Sequence, residues 1–172
     1  AMLVMAFLSL AHASGKKPYT YYVTGNPDAS VQVVAPSAPS FVLMGGGPDV
    51  DAAFRWMINR AGVRPGAGGR FVVIRATERD GYNPYIFYSD ASLGTSTAWA
   101  DEWVGGASLG LSAVETLVIP SVEAANDAFV NNVVARAQAV FIAGGDQSDY
   151  ISKWKGTALD RTLQSLMARN VP

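Results

Sequence analysis

Residues 139–150, with the sequence AVFIAGGDQSDY, carry the strongest structural signal in the chain. An apolar run gives way to two glycines and then to polar residues that favour a helix, which predicts a buried strand, a turn and a helix. Gly144 and Gly145 allow the main chain to turn sharply and to point amide N–H groups outward, where they can hold an anion or a developing oxyanion. An ordinary strand-to-helix turn is the alternative interpretation.

A second glycine-rich loop follows another apolar run, since residues 41–47 read FVLMGGG. The carboxyl ends of neighbouring parallel strands meet at one edge of a sheet, so two such loops predict one shared crevice. We expect the crevice to be bordered by the following residues of the two loops: Gly45, Gly46 and Gly47 on one side, and Gly144, Gly145, Asp146 and Gln147 on the other.

Apolar residues elsewhere in the chain recur with the spacing of strands and helices. Strands are expected at residues 31–34, 41–44, 70–75, 114–119 and 139–142, helices at residues 49–60, 121–134 and 157–169, and short helical turns at residues 85–88 and 100–104. Strands that alternate with helices form parallel βαβ units. The predicted fold class is therefore α/β, with a doubly wound, mostly parallel sheet and helices on both faces. Residues 170–172 resemble the start of a fifth strand, so we expect the sheet to be incomplete in this chain.

Length and composition limit the classes of function. The chain has 172 residues, of which 49% are hydrophobic and 16% charged, as expected for one globular domain. A net charge of -1, without a basic cluster longer than Lys16-Lys17, argues against a nucleic-acid partner. The absence of cysteine excludes a cysteine nucleophile, and His12 as the single histidine leaves no imidazole-based metal site. We expect no metal and no organic cofactor.

The first 14 residues resemble a secretory leader. An apolar run of about ten residues ends at the small-x-small sequence Ala11-His12-Ala13, although no basic segment precedes it. The run is too short to cross a bilayer, which takes roughly 20 residues. We therefore expect a leader over residues 1–14, the N-terminal part of a single α/β domain over residues 15–172, and a secreted or periplasmic protein. An N-terminal strand or helix packed on the domain, which would allow a cytoplasmic location, is the alternative.

Four segments resemble the cyanophycinase and peptidase E-like group of serine peptidases, which share the class I glutamine amidotransferase-like, flavodoxin-like α/β fold. These segments are residues 43–47 with Asp49, residues 81–85, residues 114–117 and, above all, residues 141–147. The resemblance covers most of the chain from about Phe41 to Pro172. It implies a hydrolase that cleaves an amide or isopeptide bond in a peptide-like substrate.

In such a family, the strand after the helix at residues 157–169 ends in a turn that exposes the nucleophilic serine. The resemblance thus implies that this chain contains no catalytic residue and that the serine lies beyond Pro172, on a complementary C-terminal chain or segment. Gly145 or Asp146 would supply an oxyanion N–H, and Gln147 would position the substrate. Cleavage by the protein's own nucleophile would divide the domain into two chains at this point. The alternative is that the sequence stops at Pro172 for another reason.

Two other classes of function remain open. The chain can be a non-catalytic α/β domain whose glycine loops bind a small anionic ligand, or a pseudo-enzyme that kept the fold without the chemistry. Ser148 is predicted to cap a helix rather than to act as a nucleophile. Asp49 and Asp51 are expected to complement the dipole of the helix that follows them. Homo-oligomerisation is also left open.

Overall fold

The computed structural model of the chain describes residues 16–45, 49–89 and 103–172. Four strands form one sheet: β1 (Thr20–Gly25), β2 (Arg70–Arg75), β3 (Ala113–Val118) and β4 (Ala139–Ile142). The described helices are α1 (Asp51–Arg60), α2 (Asn83–Phe87), α3 (Gly106–Leu109), α4 (Val122–Asn126), α5 (Ala128–Ala135), α6 (Gln147–Trp154) and α7 (Ala158–Ala168). The leader-like residues 1–14 lie outside the described part of the chain.

The sheet is open and mostly parallel, with the strand order β1-β3-β2-β4. β2 lies at its centre and pairs in parallel with β3 and with β4, so that Phe71 is opposite both Val114 and Ala139. β1 is antiparallel to β3 and runs from Thr20 opposite Val118 to Gly25 opposite Ala113. The α/β class predicted from the alternating pattern is confirmed.

Helices cover both faces of the sheet because alternate residues of a strand point to opposite sides. On one face, Phe71 and Val73 of β2 pack with Phe54 and Ile58 of α1. On the other face, Val72 and Ile74 belong to a second buried cluster. That cluster includes residues of all four helices α4 to α7: Ala124, Ala125, Val130, Val133, Val134, Trp154, Leu159 and Leu166. The connection from β3 to β4 therefore crosses the second face.

Strands β2 and β4 have the bounds that the apolar runs predicted, and β3 is shifted by one residue. The predicted strands at residues 31–34 and 41–44 are wrong, because neither segment pairs with the sheet. Residues 41–44 alternate between exposed and partly buried positions, but β4 occupies the place beside β2. The first strand is instead β1, an antiparallel edge strand that the sequence analysis did not predict.

The helix predicted over residues 121–134 is two helices. Ser121 caps α4 as predicted, since its hydroxyl accepts a hydrogen bond from Ala124 N at 3.1 Å. The break falls at Asp127, which has an extended backbone and accepts hydrogen bonds from Phe129 N and Val130 N. An aspartate that caps a new helix in this way competes with continuation of the old one.

The remaining helical predictions differ in detail. α1 begins two residues later than predicted, and the turn predicted at residues 85–88 is α2. Of the turn predicted at residues 100–104, only Trp103 and Val104 are described, and neither is helical. Thr157 precedes α7 as predicted, but its hydroxyl donates to Trp154 O at 2.6 Å instead of capping the helix.

Candidate functional site

The chain leaves β2 and β4 at the same edge of the sheet, the carboxyl edge. These neighbouring parallel strands send their connections to opposite faces: Ile86 of α2 packs in the α1 cluster, and Trp154 of α6 packs in the opposite one. In open α/β sheets, ligands bind outside the carboxyl ends of the strands at the point where the connections diverge. The loop that contains Gly144 and Gly145 lies at this point.

This loop is held at its base and open at its tip. Ala143 N donates to Ile74 O of β2 at 3.0 Å, which ties the start of the loop to the sheet. Gly144, Gly145, Asp146 and Gln147 are all exposed. Within the described part of the chain, the amides of Gly144 and Gly145 donate no hydrogen bond to the protein. Two adjacent main-chain donors are therefore available to a bound group.

Tyr150, which the sequence analysis did not single out, joins the ends of the two strands. Its hydroxyl lies 2.7 Å from Ala143 O, to which it donates, and 3.1 Å from Gly144 O. Burial raises the pKa of the phenol, and the main chain of Ala76, just after β2, lies close enough to the same oxygen to oppose that rise. Tyr150 thus fixes the position of the glycine loop relative to β2.

Gly144 and Gly145 differ in the space that their surroundings leave for a side chain. A Cβ on Gly145 would lie 2.7 Å from the Tyr150 hydroxyl oxygen, whereas a Cβ on Gly144 would meet no atom within 4 Å. Neither residue has a positive φ. The backbone of the turn therefore does not itself require glycine, and close approach of the tyrosine excludes a side chain at Gly145 only.

Asp146 has a structural task that the sequence analysis assigned to Ser148. The Asp146 carboxylate accepts a hydrogen bond from Ser148 N at 2.8 Å and caps α6. This hydrogen bond holds the pKa of Asp146 below its usual range. The prediction that Ser148 caps the helix is therefore wrong, since Ser148 lies inside the first turn. Gln147 opens α6 and exposes its side chain to solvent.

Charged residues follow β2 at the same edge of the sheet. Arg75 is 8% exposed, pairs with the Glu78 carboxylate and donates to Arg79 O at 2.9 Å. A shallow cavity of about 790 Å³ is lined by Arg75, Glu78, Arg79, Asp80 and Gly81. The Asp80 carboxylate accepts hydrogen bonds from Tyr82 N and Asn83 N, which leads this loop into α2. The cavity therefore carries both signs of charge.

The other predicted loop is described only in part. Gly45 is exposed and would meet no atom with an added Cβ, while Gly46 and Gly47 lie outside the described residues. Asp49, just after the loop, lies beside the Tyr82 hydroxyl. Burial and hydrogen bonding to Asp49 raise the pKa of Tyr82 to about 12. The Tyr82 ring lies 5.4 Å from that of Phe141, so an aromatic contact links Tyr82 to β4, the strand before the first loop. The shared crevice stays a prediction.

Tyr82 and Tyr85 pack in an aromatic cluster with Phe54 and Phe141. The Tyr85 ring stands edge-on to Phe54 with centroids 5.6 Å apart, and its hydroxyl donates to the Asp51 carboxylate. Burial and this hydrogen bond raise the pKa of Tyr85. The predicted position of Asp51 in the first turn of α1 is confirmed. The cluster belongs to the α1 face of the sheet.

Comparison with protein-family models gives no match for this chain, and comparison with curated proteins gives none either. In residues 16–45, 49–89 and 103–172, no helix has the length and apolar character needed to cross a membrane.

Proposed function

We propose that this chain is the N-terminal portion of a secreted or periplasmic, cyanophycinase-like serine peptidase with a class I glutamine amidotransferase-like fold. It hydrolyses an amide or isopeptide bond in a peptide-like substrate and needs no cofactor. The observation that carries this proposal is the pair of exposed Gly144 and Gly145 amides at the divergence of β2 and β4, which have no acceptor among the residues that the structure describes.

The proposed role of these amides is electrostatic. When a serine hydroxyl attacks the substrate carbonyl, the carbon–oxygen double bond opens and its oxygen becomes an oxyanion. An N–H from Gly145, with Asp146 N–H as the alternative donor, stabilises that oxygen, and loss of one such donor costs about 2.7–4 kcal/mol in the transition state. The exposed Gln147 side chain positions the substrate.

The nucleophile comes from a segment that completes the domain. A strand parallel to β4 would end at the same edge as β4, so a serine turn that follows it would lie beside Gly144 and Gly145. The histidine that takes the serine proton and the acid that orients it belong to the same completing segment. We propose that this segment becomes a second chain when the protein's own nucleophile cleaves the bond before the turn.

The first test is the intact mass of every species in the purified protein, with N-terminal sequencing and fluorophosphonate labelling. We expect a companion polypeptide that begins after Pro172 and whose serine is labelled. A lone, folded 18.2 kDa species without label would contradict the hydrolase. A companion with an unlabelled serine would favour the pseudo-enzyme.

One observation favours a second candidate function, the binding of a small anionic ligand without catalysis. The Gly144 and Gly145 amides, which have no acceptor among the described residues, and the arginine-containing cavity follow the neighbouring strands β4 and β2 at the same edge of the sheet. Titration of the chain with inorganic phosphate, followed through the amide NMR signals of Gly144 and Gly145, tests this alternative. Saturable shifts at these two amides, together with an absent labelled serine, would establish binding as the function.

A further inference from the structure

The guanidinium of Arg75, the last residue of β2, has one edge that is only half used. Its Nη1 donates to Arg79 O at 2.9 Å, and its Nη2 donates to the Glu78 carboxylate. Its Nε is buried and has no acceptor among the residues that the structure describes. Nε and Nη2 lie on the same edge of a guanidinium and together match two oxygens of a carboxylate or a phosphate. Glu78 therefore satisfies one donor of this edge and leaves the other unsatisfied.

Glu78 is also an exposed and strained partner for this buried group. Its side chain is 66% exposed, whereas that of Arg75 is 9% exposed. The φ of Glu78 is 71°, in the left-handed region that residues other than glycine seldom adopt. Backbone strain of this kind concentrates at ligand-binding and switch positions, and a buried donor without an acceptor is unfavourable. Both costs fall on the same ion pair.

The cavity after β2 gives a ligand access to this ion pair. It has a volume of about 790 Å³ and is lined by Arg75 and residues 78–81. The Asp80 carboxylate already accepts hydrogen bonds from two main-chain amides that lead into α2. If the Glu78 side chain turns out to solvent, Arg75 and Arg79 leave an excess of positive charge in the cavity, which attracts an anion.

Arg75 and Glu78 lie close to the tyrosine that holds the glycine loop. Burial raises the pKa of Tyr82 and that of Tyr150, and for each phenol the charge of Arg75 opposes the rise while that of Glu78 adds to it. The Arg75 guanidinium lies 5.7 Å from the centroid of the Tyr82 ring. A change in the ion pair therefore alters the electrostatic potential at Tyr150, whose hydroxyl donates to Ala143 O.

We propose that Glu78 is an internal occupant of an oxyanion site on Arg75 and that a ligand with two oxygens, a carboxylate or a phosphate, displaces it. The ligand accepts from Nε and Nη2 together, while Nη1 keeps its hydrogen bond to Arg79 O. Glu78 lowers the apparent affinity, because the site is open only in the fraction of molecules that Glu78 has left.

This site is independent of the proposed hydrolase, since it needs no nucleophile. It deepens the anion-binding candidate by naming the arginine edge that holds the anion and the side chain that competes for it. The two functions can therefore fail separately.

The first test titrates the purified protein, with any companion polypeptide, with inorganic phosphate and separately with acetate. Chloride at equal ionic strength is the reference, and the NMR signal of the Arg75 Nε–H is the readout. We expect this signal to shift and to saturate, and the probe that saturates it at the lower concentration identifies the ligand as a phosphate or a carboxylate. Shifts at the Gly144 and Gly145 amides without a shift at Arg75 would overturn the proposal, as would no shift with either probe.

Two variants of Glu78 separate occupancy from charge. Glu78→Gln removes the charge, whereas Glu78→Asp keeps it on a shorter side chain that reaches Arg75 less well. We expect both to raise the affinity for the saturating probe in calorimetry, by about tenfold for Glu78→Gln. Glu123→Gln removes an exposed carboxylate from the first turn of α4 and should leave the affinity unchanged. An increase with Glu78→Gln alone would indicate long-range repulsion and reject the internal occupant.

Arg75→Lys keeps the positive charge but removes the edge formed by two nitrogens. We expect the affinity to fall at least about tenfold, and an unchanged affinity would overturn the proposal. If this variant does not fold, the Nε–H titration and the Glu78 variants still decide the question. A labelled serine without binding at Arg75 would support the hydrolase and reject this site, and binding at Arg75 without a labelled serine would do the reverse.

Discussion

Position 145 shows how one side chain sets the requirement at another. Glycine is needed there because the Tyr150 hydroxyl approaches within 2.7 Å of where a Cβ would be, and that hydroxyl is fixed by Ala143 O. The environment of Glu115 also depends on a distant side chain. Glu115 is 0% exposed, and one of its carboxylate oxygens accepts a hydrogen bond from the Tyr21 hydroxyl at 2.7 Å. Its other oxygen has no partner among the described residues.

Gly145→Ala is expected to lower the free energy of unfolding by about 1–3 kcal/mol, because the added methyl group must displace Tyr150. Gly144→Ala is the matched control and should change it by less than about 0.5 kcal/mol, since its methyl group meets open space. Urea denaturation of the two variants measures both values. Equal losses would show that the turn, rather than Tyr150, demands glycine.

Glu115 makes stability depend on pH with a defined sign. Burial raises the pKa of Glu115 above its value in the unfolded chain. Its favourable contribution is therefore complete below the unfolded pKa and is lost as pH rises through the folded one. We expect Glu115→Gln to match the unaltered chain near pH 4 and to be the more stable at pH 7. A difference that is independent of pH, measured by urea denaturation across this range, would contradict the assignment.

At the scale of elements, helix caps determine where the helices between β3 and β4 begin and end. Apolar residues with helical spacing continue from α4 into α5, yet Asp127 ends one helix and begins the next by accepting from two amides. The break lets both helices pack on the sheet, since Ala124, Ala125, Val130 and Val134 are all fully buried.

Asp127→Ala should lower the free energy of unfolding by about 1 kcal/mol, because two amides of α5 lose their acceptor. Glu123→Ala removes a carboxylate from the first turn of α4 without removing a cap, so it should change stability by less than about 0.5 kcal/mol. Thermal unfolding of the two variants provides the comparison. An Asp127→Ala variant as stable as the unaltered chain would mean that packing alone separates α4 from α5.

At the scale of the whole molecule, β1 and β4 are the two edge strands of the sheet, and the β4 edge, which borders an apolar groove, is called its open side. β1 covers the outer edge of β3 as an antiparallel strand, whereas β4 offers a free edge beside the exposed side chains of Ile142 and Met167. An exposed apolar edge favours association between molecules. The open side therefore decides how the 172-residue chain behaves on its own.

The isolated chain is expected to be marginally stable or to aggregate, and Ile142→Lys should reduce the aggregation because a charge on the edge opposes strand addition. Val122→Lys, at similar exposure on α4, should leave the aggregation unchanged. Light scattering at several concentrations measures the effect. A monodisperse, cooperatively unfolding preparation of the unaltered chain would sink the prediction.

Local signals in the sequence sufficed for β2, β4 and most of the helices, because buried apolar runs and helical spacing depend on neighbouring residues only. They also located the glycine loop at positions 144 and 145. Strand order, the pairing of β1 and the approach of Tyr150 to Gly145 did not follow from them. These features depend on contacts between distant parts of the chain, such as that of Tyr21 with Glu115, 94 residues apart. Such contacts exist only once the sheet has assembled.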